Sequence, residues 1–150
     1  MADQTDVREC PIARTLQVVG EKWSLLAIRE IILGNRRFEE IRRYTGAPRD
    51  ILTARLRKLE ADGIVTRSEY QQRPSRFEYQ LTELGWSLSP VLTVLRSWGD
   101  THLPVPGGPS LVIEHDCGAE LTPEVICAEC GRPVGPKSTH PRSAPAQLAG

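Results

Sequence analysis

The sequence predicts a mainly α (α+β) fold, in which several helices and a two-stranded hairpin precede a small cysteine-bearing β-hairpin module. Apolar residues recur at helical spacing through most of the first hundred residues. Between residues 64 and 81 the period changes to the alternation that is typical of strands. The chain has 150 residues, of which 39% are hydrophobic and 25% are charged. This is the composition of one ordinary globular domain with an appendage.

The first helix is predicted to begin at Pro11, because a proline at the first helical position loses no hydrogen bond. Its apolar residues recur at i, i+4 and i+7 and predict one buried face: Ile12, Leu16 and Val19. Gly20 interrupts this pattern. A second helix is predicted over residues 21–33, with Gly34 and Asn35 as its end signal.

A short third helix fits residues 38–44 and stops at Gly46. The fourth helix has the most regular pattern; it follows Pro48 and ends at Gly63, which supplies a left-handed conformation. Its inward face is apolar and consists of Ile51, Leu52, Leu56 and Leu59. Its outward face is basic with some short side chains and consists of Arg49, Asp50, Thr53 and Arg57, flanked by Ala54 and Lys58.

Two strands around a polar turn are predicted next, over residues 64–70 and 76–81. Arg73 and Arg76 lie at the tip of this hairpin, and Pro74 stiffens the turn. The pattern therefore predicts a hairpin that carries positive charge at its end.

The last helix is predicted to begin after Thr82, a favourable N-cap residue, and to kink at Pro90. Its apolar residues are Leu84, Leu88, Val91, Leu92, Leu95 and Trp98. They form a face wider than one small domain is expected to cover, which indicates a further packing partner.

Four segments follow from these patterns. Residues 8–102 are predicted to form the helical domain, and residues 103–110 a linker rich in proline and glycine. Residues 111–134 form the cysteine-bearing module, and residues 135–150 a disordered tail of proline, serine and alanine in a polar background.

The order of the elements is that of a winged helix-turn-helix domain. A helix about 10 Å across fills a DNA major groove about 12 Å wide, and the hairpin then lies near the backbone or the minor groove. Double-stranded DNA is the expected partner. The alternatives for the same fold are an adaptor that binds other proteins and a zinc- or redox-sensing protein. The predicted DNA-binding residues are Arg42, Arg43, Arg49, Asp50, Thr53, Arg57, Lys58, Arg73 and Arg76.

A net charge of zero over the whole chain is unfavourable for binding nucleic acid, but the charge is unevenly distributed along the sequence. Residues 29–76 carry an excess of basic over acidic side chains. The basic ones are Arg29, Arg36, Arg37, Arg42, Arg43, Arg49, Arg55, Arg57, Lys58, Arg67, Arg73 and Arg76. The acidic ones are Glu30, Glu39, Glu40, Asp50, Glu60, Asp62 and Glu69. The segment thus has a local charge of +5, the difference between these two sets.

Several sequence stretches together resemble the HxlR family of bacterial winged-helix transcription regulators, related to MarR-type proteins. They occur at residues 10–12, 20–26, 37–41, 51–60, 62–67 and 78–85, and the likeness covers about residues 8–100. The resemblance implies a homodimer formed mainly by the first and last helices of the domain. It also implies binding to an inverted-repeat operator and repression of a nearby gene.

Cys10 occupies the position at which redox and electrophile sensors of that family carry their amino-terminal cysteine, so the resemblance makes it a redox-sensing candidate. A helix amino end favours a thiolate, and Arg8 acts in the same direction whereas Glu9 opposes it. The alternatives are an inert buried cysteine, and a small aromatic effector held between apolar helices.

The other three cysteines belong to the appendage. Cys127-Ala128-Glu129-Cys130-Gly131 is typical of a zinc knuckle, and His115-Asp116-Cys117 is a shortened second arm. The segments 111–113 and 124–126 are predicted to flank these ligands as one hairpin. We expect His115, Cys117, Cys127 and Cys130 to hold a structural zinc ion. Redox switching of the cysteines, or no special role, are the alternatives.

Other functional classes are disfavoured by the sequence. It contains no Ser-His-Asp signature, no Walker-type loop and no Gly-x-Gly-x-x-Gly, so we expect no enzymatic activity. No apolar run approaches the ~18 residues of a membrane span, and the polar amino end lacks a signal sequence. A cytoplasmic location is the resulting expectation.

Overall fold

The structure is a computed structural model that describes residues 10–142. The predicted beginning of the domain at residue 8, the roles of Arg8 and Glu9, and the end of the tail lie outside this range. The chain divides into two compact units, Met1–Leu95 and Arg96–Gly150, which are treated separately below. The predicted domain limit at residue 102 stays a prediction.

The order of elements agrees with the prediction. The elements are α1 (Pro11–Val19), α2 (Lys22–Ile32), α3 (Phe38–Thr45), α4 (Arg49–Ala61), β1 (Val65–Gln72), β2 (Ser75–Leu81), α5 (Glu83–Trp86) and α6 (Ser89–His102). Five of the six helices and the antiparallel hairpin match a winged helix-turn-helix arrangement, which confirms the predicted fold class for this part of the chain. No described helix has the length and apolarity needed to cross a lipid bilayer.

The core of the first unit lies between α2, α3, α4 and the base of the hairpin. Fully buried residues come from each of these elements, among them Ile28, Ile41, Leu52, Leu56 and Val65. The inward face predicted for α4 is thereby confirmed, since Leu52, Leu56 and Leu59 are all buried. Burial of this face fixes which side chains of α4 point outward.

Two glycines set the ends of α3 and α4. Gly46 follows α3 with a φ of 73°, and Gly63 follows α4 with a φ of 72°. This left-handed region is strained for residues with a Cβ atom. The chain can therefore turn sharply from α3 into α4, and from α4 into the hairpin.

The hairpin is tied to the helices at two places. Its strands pair in antiparallel register from Val65 with Leu81 to Gln72 with Ser75. The amide of Tyr79 donates to the carbonyl of Arg36 at 2.8 Å, just before α3. These backbone bonds hold the hairpin against the start of α3.

The second tie is at the base of the hairpin. The Thr82 hydroxyl donates to the Gly63 carbonyl at 2.6 Å and accepts a hydrogen bond from the Gly85 amide at 3.0 Å. A Cβ atom on Gly85 would lie 2.2 Å from the carbonyl oxygen of Ile64, so only glycine fits there. α5 is thus locked to the junction between α4 and β1.

Two sequence expectations about the helices were wrong. Val19 is buried, but Ile12 and Leu16 are 69% and 55% exposed, so the stripe on α1 is not a buried face of this single chain. The last helix is not one kinked helix either: it is broken between Trp86 and Ser89, and Pro90 lies in the first turn of α6, where its missing N–H costs no bond.

The expectation of a wide apolar face on the last helix is confirmed. Leu88 and Leu92 pack against the core of the first unit. Val91, Leu95 and Trp98 are each more than half exposed, and no residue of α6 is buried. The first unit therefore does not bury Val91 or Leu95 within its own core.

The appendage forms two tight turns rather than the single predicted hairpin. One turn is closed by a bridge between Glu114 and Glu120, and the other by a bridge between Ile126 and Pro133. Ile113 pairs with Leu121, and Val125 with Val134, so the segments 111–113 and 124–126 each pair locally. Gly118 and Gly131, with φ values of 83° and 69°, allow these local closures.

Candidate nucleic-acid interface

The outward face of α4 presents the predicted polar residues. Arg49, Asp50 and Arg57 are exposed, whereas Thr53 and Lys58 are half-buried. The Thr53 hydroxyl donates its hydrogen to the carbonyl of Arg49 at 2.8 Å. Its oxygen can still accept a hydrogen bond from a partner. This face is therefore accessible to a binding partner. Contacts of these residues with DNA stay predictions.

Glu39 at the start of α3 lies between two of the predicted DNA-binding arginines. Its Oε2 atom is 3.4 Å from Nη1 of Arg42, and its Oε1 atom pairs with Nη2 of Arg49. The guanidinium of Arg49 also lies over the ring of Phe38, 5.2 Å from its centroid. One carboxylate thus compensates two cations of the interface.

Glu39 was not among the residues predicted to form the DNA-binding site. The spacing of three residues between Glu39 and Arg42 is a sequence signal for a helical ion pair. The pair with Arg49 carried no such signal, because the two residues are on different helices. The sequence therefore indicates the pair of Glu39 with Arg42 but not the pair of Glu39 with Arg49.

The remaining cations of α3 and α4 differ in how far they are compensated. Lys58 pairs with Asp62 at 2.7 Å. Among the residues that the structure describes, Arg43 and Arg57 have no carboxylate within ion-pair distance, and Arg43 lies 5.5 Å from the Tyr44 ring centroid. Arg43 and Arg57 are therefore the cations of this face that are most available to an anionic partner.

The hairpin places two arginines where the sequence predicts them. Arg73 and Arg76 are exposed; Arg73 lies in the turn and Arg76 pairs with Gln71 near the tip. Within residues 10–142 neither of them forms an ion pair. The tip thus carries two uncompensated positive charges.

The arginines nearer the base of the hairpin are occupied. Arg67 lies 3.7 Å from the Glu60 carboxylate and 4.4 Å from the Phe77 ring centroid. Arg67 also lowers the pKa of Tyr79, but burial of that tyrosine outweighs this effect and raises its pKa above the ordinary value. These contacts make Arg67 part of the packing of the hairpin.

Cys10 is the residue that immediately precedes α1. Its backbone is extended, its side chain makes no capping hydrogen bond, and its exposure is intermediate. Cys10 therefore lies at the amino end of a helix on which Ile12 and Leu16 are exposed.

The four predicted zinc ligands are distributed over the two turns of the appendage. His115 and Cys117 share the first turn, where the Cys117 amide donates to Nδ1 of His115 at 3.3 Å. Cys127 and Cys130 share the second turn. The pKa of the Cys130 thiol is lowered, mainly by a hydrogen bond from the Arg132 backbone and also by hydrogen bonds with the Arg132 and Cys127 side chains. In the described part of the chain, no three His, Cys, Asp or Glu side chains are gathered as a ready metal site.

Comparison with known proteins identifies relatives of this chain. The family model described as HxlR-like helix-turn-helix matches residues 18–106. The HTH-type transcriptional regulator Rv3095 of Mycobacterium tuberculosis (strain ATCC 25618 / H37Rv) is 41% identical over 135 residues, which cover 89% of this chain and 85% of the relative.

Solved structures agree with this assignment. PA1607, a candidate transcription factor, is 31% identical with a TM-score of 0.77, over 94% of this chain and 97% of its own. The redox regulator HypR in its oxidized form is 42% identical with a TM-score of 0.59, over 64% of this chain and all of its own.

Proposed function

The chain belongs to the HxlR-like helix-turn-helix family of transcriptional regulators, and from this premise we propose that it acts as a homodimeric repressor of an inverted-repeat operator. The observation that carries the proposal is the outward face of α4, with exposed Arg49 and Arg57, together with a hairpin tip that exposes Arg73 and Arg76. Arginine forms two parallel hydrogen bonds with a phosphate or a guanine edge. The α4 face reads the major groove, and the tip contacts the minor groove or its flanking phosphates.

The exposed apolar residues of α1 and α6 support the homodimer. Ile12, Leu16, Val91, Leu95 and Trp98 are each more than half exposed. A monomer gains stability when such side chains leave water, by about 25 cal/mol per Å² of apolar surface. A second copy covers both helices, and a two-fold axis then spaces the reading helices by roughly one DNA turn, ~34 Å.

A gel-shift titration with DNA from upstream of the gene and its neighbours tests this function. We expect binding that weakens steeply with salt, because each phosphate contact releases a counterion. Arg57→Ala should weaken binding to the operator, whereas Lys137→Ala, within the segment 135–150, serves as a charge-matched control. A protein that binds no upstream DNA at low salt would instead favour the adaptor function.

The dimer has its own test. Sedimentation of the full chain should give the mass of two chains, and Leu95→Asp should shift it toward one chain, because a buried carboxylate at the interface is costly. Glu124→Asp is the matched control, since it leaves an acidic side chain on the exposed surface of the appendage. A wild-type protein that sediments as one chain at micromolar concentration contradicts the homodimer.

We also propose that thiol oxidants control the regulator through Cys10. Two observations support this proposal. Cys10 is half-buried and lies directly before α1, the helix that we assign to the dimer interface. The chain is also similar to the redox regulator HypR. Oxidation or alkylation at this point alters the packing of α1 and thereby the relative tilt of the reading helices. Diamide or a quinone should release DNA from the wild type; Cys10→Ser should stay bound. Equal release from both proteins would exclude this role for Cys10.

A further inference from the structure

The appendage has ordered turns but no core of its own. Among residues 103–142 no residue is buried, and only Ile113, Leu121, Pro123, Cys127 and Gly135 are half-buried. Fixing the backbone of each residue costs about 1–2 kcal/mol of conformational entropy. Apolar burial of this small extent does not offset that cost for a segment of this size. Something other than a hydrophobic core must hold residues 111–134.

The two turns have the same construction. In each, a cysteine is followed directly by a glycine with positive φ: Cys117 by Gly118, and Cys130 by Gly131. The glycine amide donates to the carbonyl of the first candidate ligand, from Gly118 to His115 at 2.8 Å and from Gly131 to Cys127 at 2.7 Å. The repeated geometry indicates two arms with a common purpose.

The backbone of the first ligand in each arm is bonded a second time. The His115 amide donates to the Ala119 carbonyl at 2.9 Å, and the Cys127 amide donates to the Arg132 carbonyl at 2.9 Å. Each arm therefore fixes its first ligand through both its N–H and its C=O groups. The side chain is left to project from a constrained turn.

The donor atoms of the two arms match one metal. His115 supplies an imidazole nitrogen, although its Nδ1 lone pair accepts the Cys117 amide hydrogen bond in this structure, so a metal bound at Nδ1 replaces that hydrogen bond. Cys117, Cys127 and Cys130 are free thiols and supply three sulfur donors. A set of three sulfurs and one imidazole nitrogen suits tetrahedral Zn²⁺ in a closed structural site.

We propose that His115, Cys117, Cys127 and Cys130 bind one Zn²⁺ ion, which cross-links the two turns and stabilises the appendage. Binding converts three thiols into thiolates and releases three protons, while His115 binds as the neutral imidazole. The two arms must approach each other for this, because the described residues hold no ready group of three ligands. Zinc binding is therefore coupled to folding of the segment 111–134.

The zinc content of the full-length protein, purified under reducing conditions and equilibrated with Zn²⁺, tests the proposal. We expect one zinc per chain in the wild type and a loss of about tenfold or more in Cys127→Ser and Cys130→Ser, because a lost thiolate leaves an incomplete tetrahedral site. Cys117→Ser and His115→Asn should also lose zinc. Cys10→Ser and His140→Asn are the matched controls and should retain one zinc per chain.

Titration with Co²⁺ gives a readout that reports the ligands themselves. The wild type should develop thiolate-to-cobalt charge-transfer bands and the intense d–d bands of a tetrahedral ion, and both should fall in the three cysteine variants. Limited proteolysis should cut within residues 111–134 much faster in chelator than in Zn²⁺. Circular dichroism and DNA binding of each variant serve as controls. A variant that loses zinc but keeps its helical signal and its DNA binding has kept the winged-helix fold.

Less than half a zinc per chain in the reduced wild type would overturn the proposal. So would zinc content that is unchanged in Cys127→Ser and Cys130→Ser. A Cys127–Cys130 disulfide in mass spectra of the zinc-equilibrated protein would assign the pair to redox chemistry instead.

Discussion

Glu39 pairs with two of the arginines that we propose contact DNA, so its replacement should strengthen DNA binding. Its carboxylate pairs with both Arg42 and Arg49, which are 45% and 63% exposed. DNA phosphates must compete with this carboxylate before either arginine can contact them. Glu39→Gln keeps the size of the side chain and removes the competing charge.

The size of the effect follows from the exposure of the two pairs. Exposed ion pairs contribute about 0.2–1 kcal/mol each, so two pairs restrain each subunit by roughly 0.4–2 kcal/mol. Release of that restraint raises the affinity roughly 2- to 30-fold per subunit. Each freed arginine that takes a phosphate also steepens the slope of log K against log salt by about 0.9.

Fluorescence anisotropy with labelled operator DNA over a range of salt concentrations measures both quantities. Glu39→Gln should bind more tightly at low salt and show a steeper slope by up to about 1.8 per subunit. Glu124→Gln changes the same charge on the exposed surface of the appendage and should leave both values unchanged. No change in the slope would refute the restraint. Weaker binding by Glu39→Gln would also refute it, and would indicate that Glu39 positions Arg49 for contact.

Three other predictions concern the hairpin and its base. Arg73→Ala should reduce the slope of log K against log salt by about 0.9 per subunit, since it removes one phosphate contact from the tip; an unchanged slope in the anisotropy assay would place the tip away from DNA. Gly85→Ala should destabilise the first unit by about 1–3 kcal/mol in denaturant melts, because the new Cβ atom meets the Ile64 carbonyl. Gly99→Ala, with open space around it, is the control and should not destabilise. Burial raises the pKa of Tyr79 above its usual value of 10.0, so the unfolded state ionises first and the free energy of unfolding falls as pH rises above about 10; Tyr79→Phe should remove this loss, and an identical pH profile would contradict it.

Local patterns were sufficient to predict the order of the elements and the ends of several helices, although not the break between α5 and α6. The periodicity of Leu52, Leu56 and Leu59 set the inward face of α4, and all three are buried. Gly46 and Gly63 marked the ends of helices because each adopts positive φ. Such signals are readable because they depend on residues a few positions apart.

Side-chain partners across elements were not predictable in the same way. Arg37 and Glu78 form an ion pair at 3.4 Å although they are 41 residues apart. Glu39 meets Arg49 from a neighbouring helix. Neither pair could be chosen from the sequence, because many carboxylates lie within the same span.

The sequence by itself determined the order of the helices, the hairpin with Arg73 and Arg76 near its tip, and the cysteine pattern of the appendage. These depend on hydrogen bonding and side-chain periodicity within short segments. Tertiary structure alone decided which arginines are compensated by Glu39, and that Ile12 and Leu16 are exposed rather than buried. It also decided that the appendage closes as two local turns. Burial and ion pairing depend on which surfaces meet in space, and residues distant in the sequence determine that.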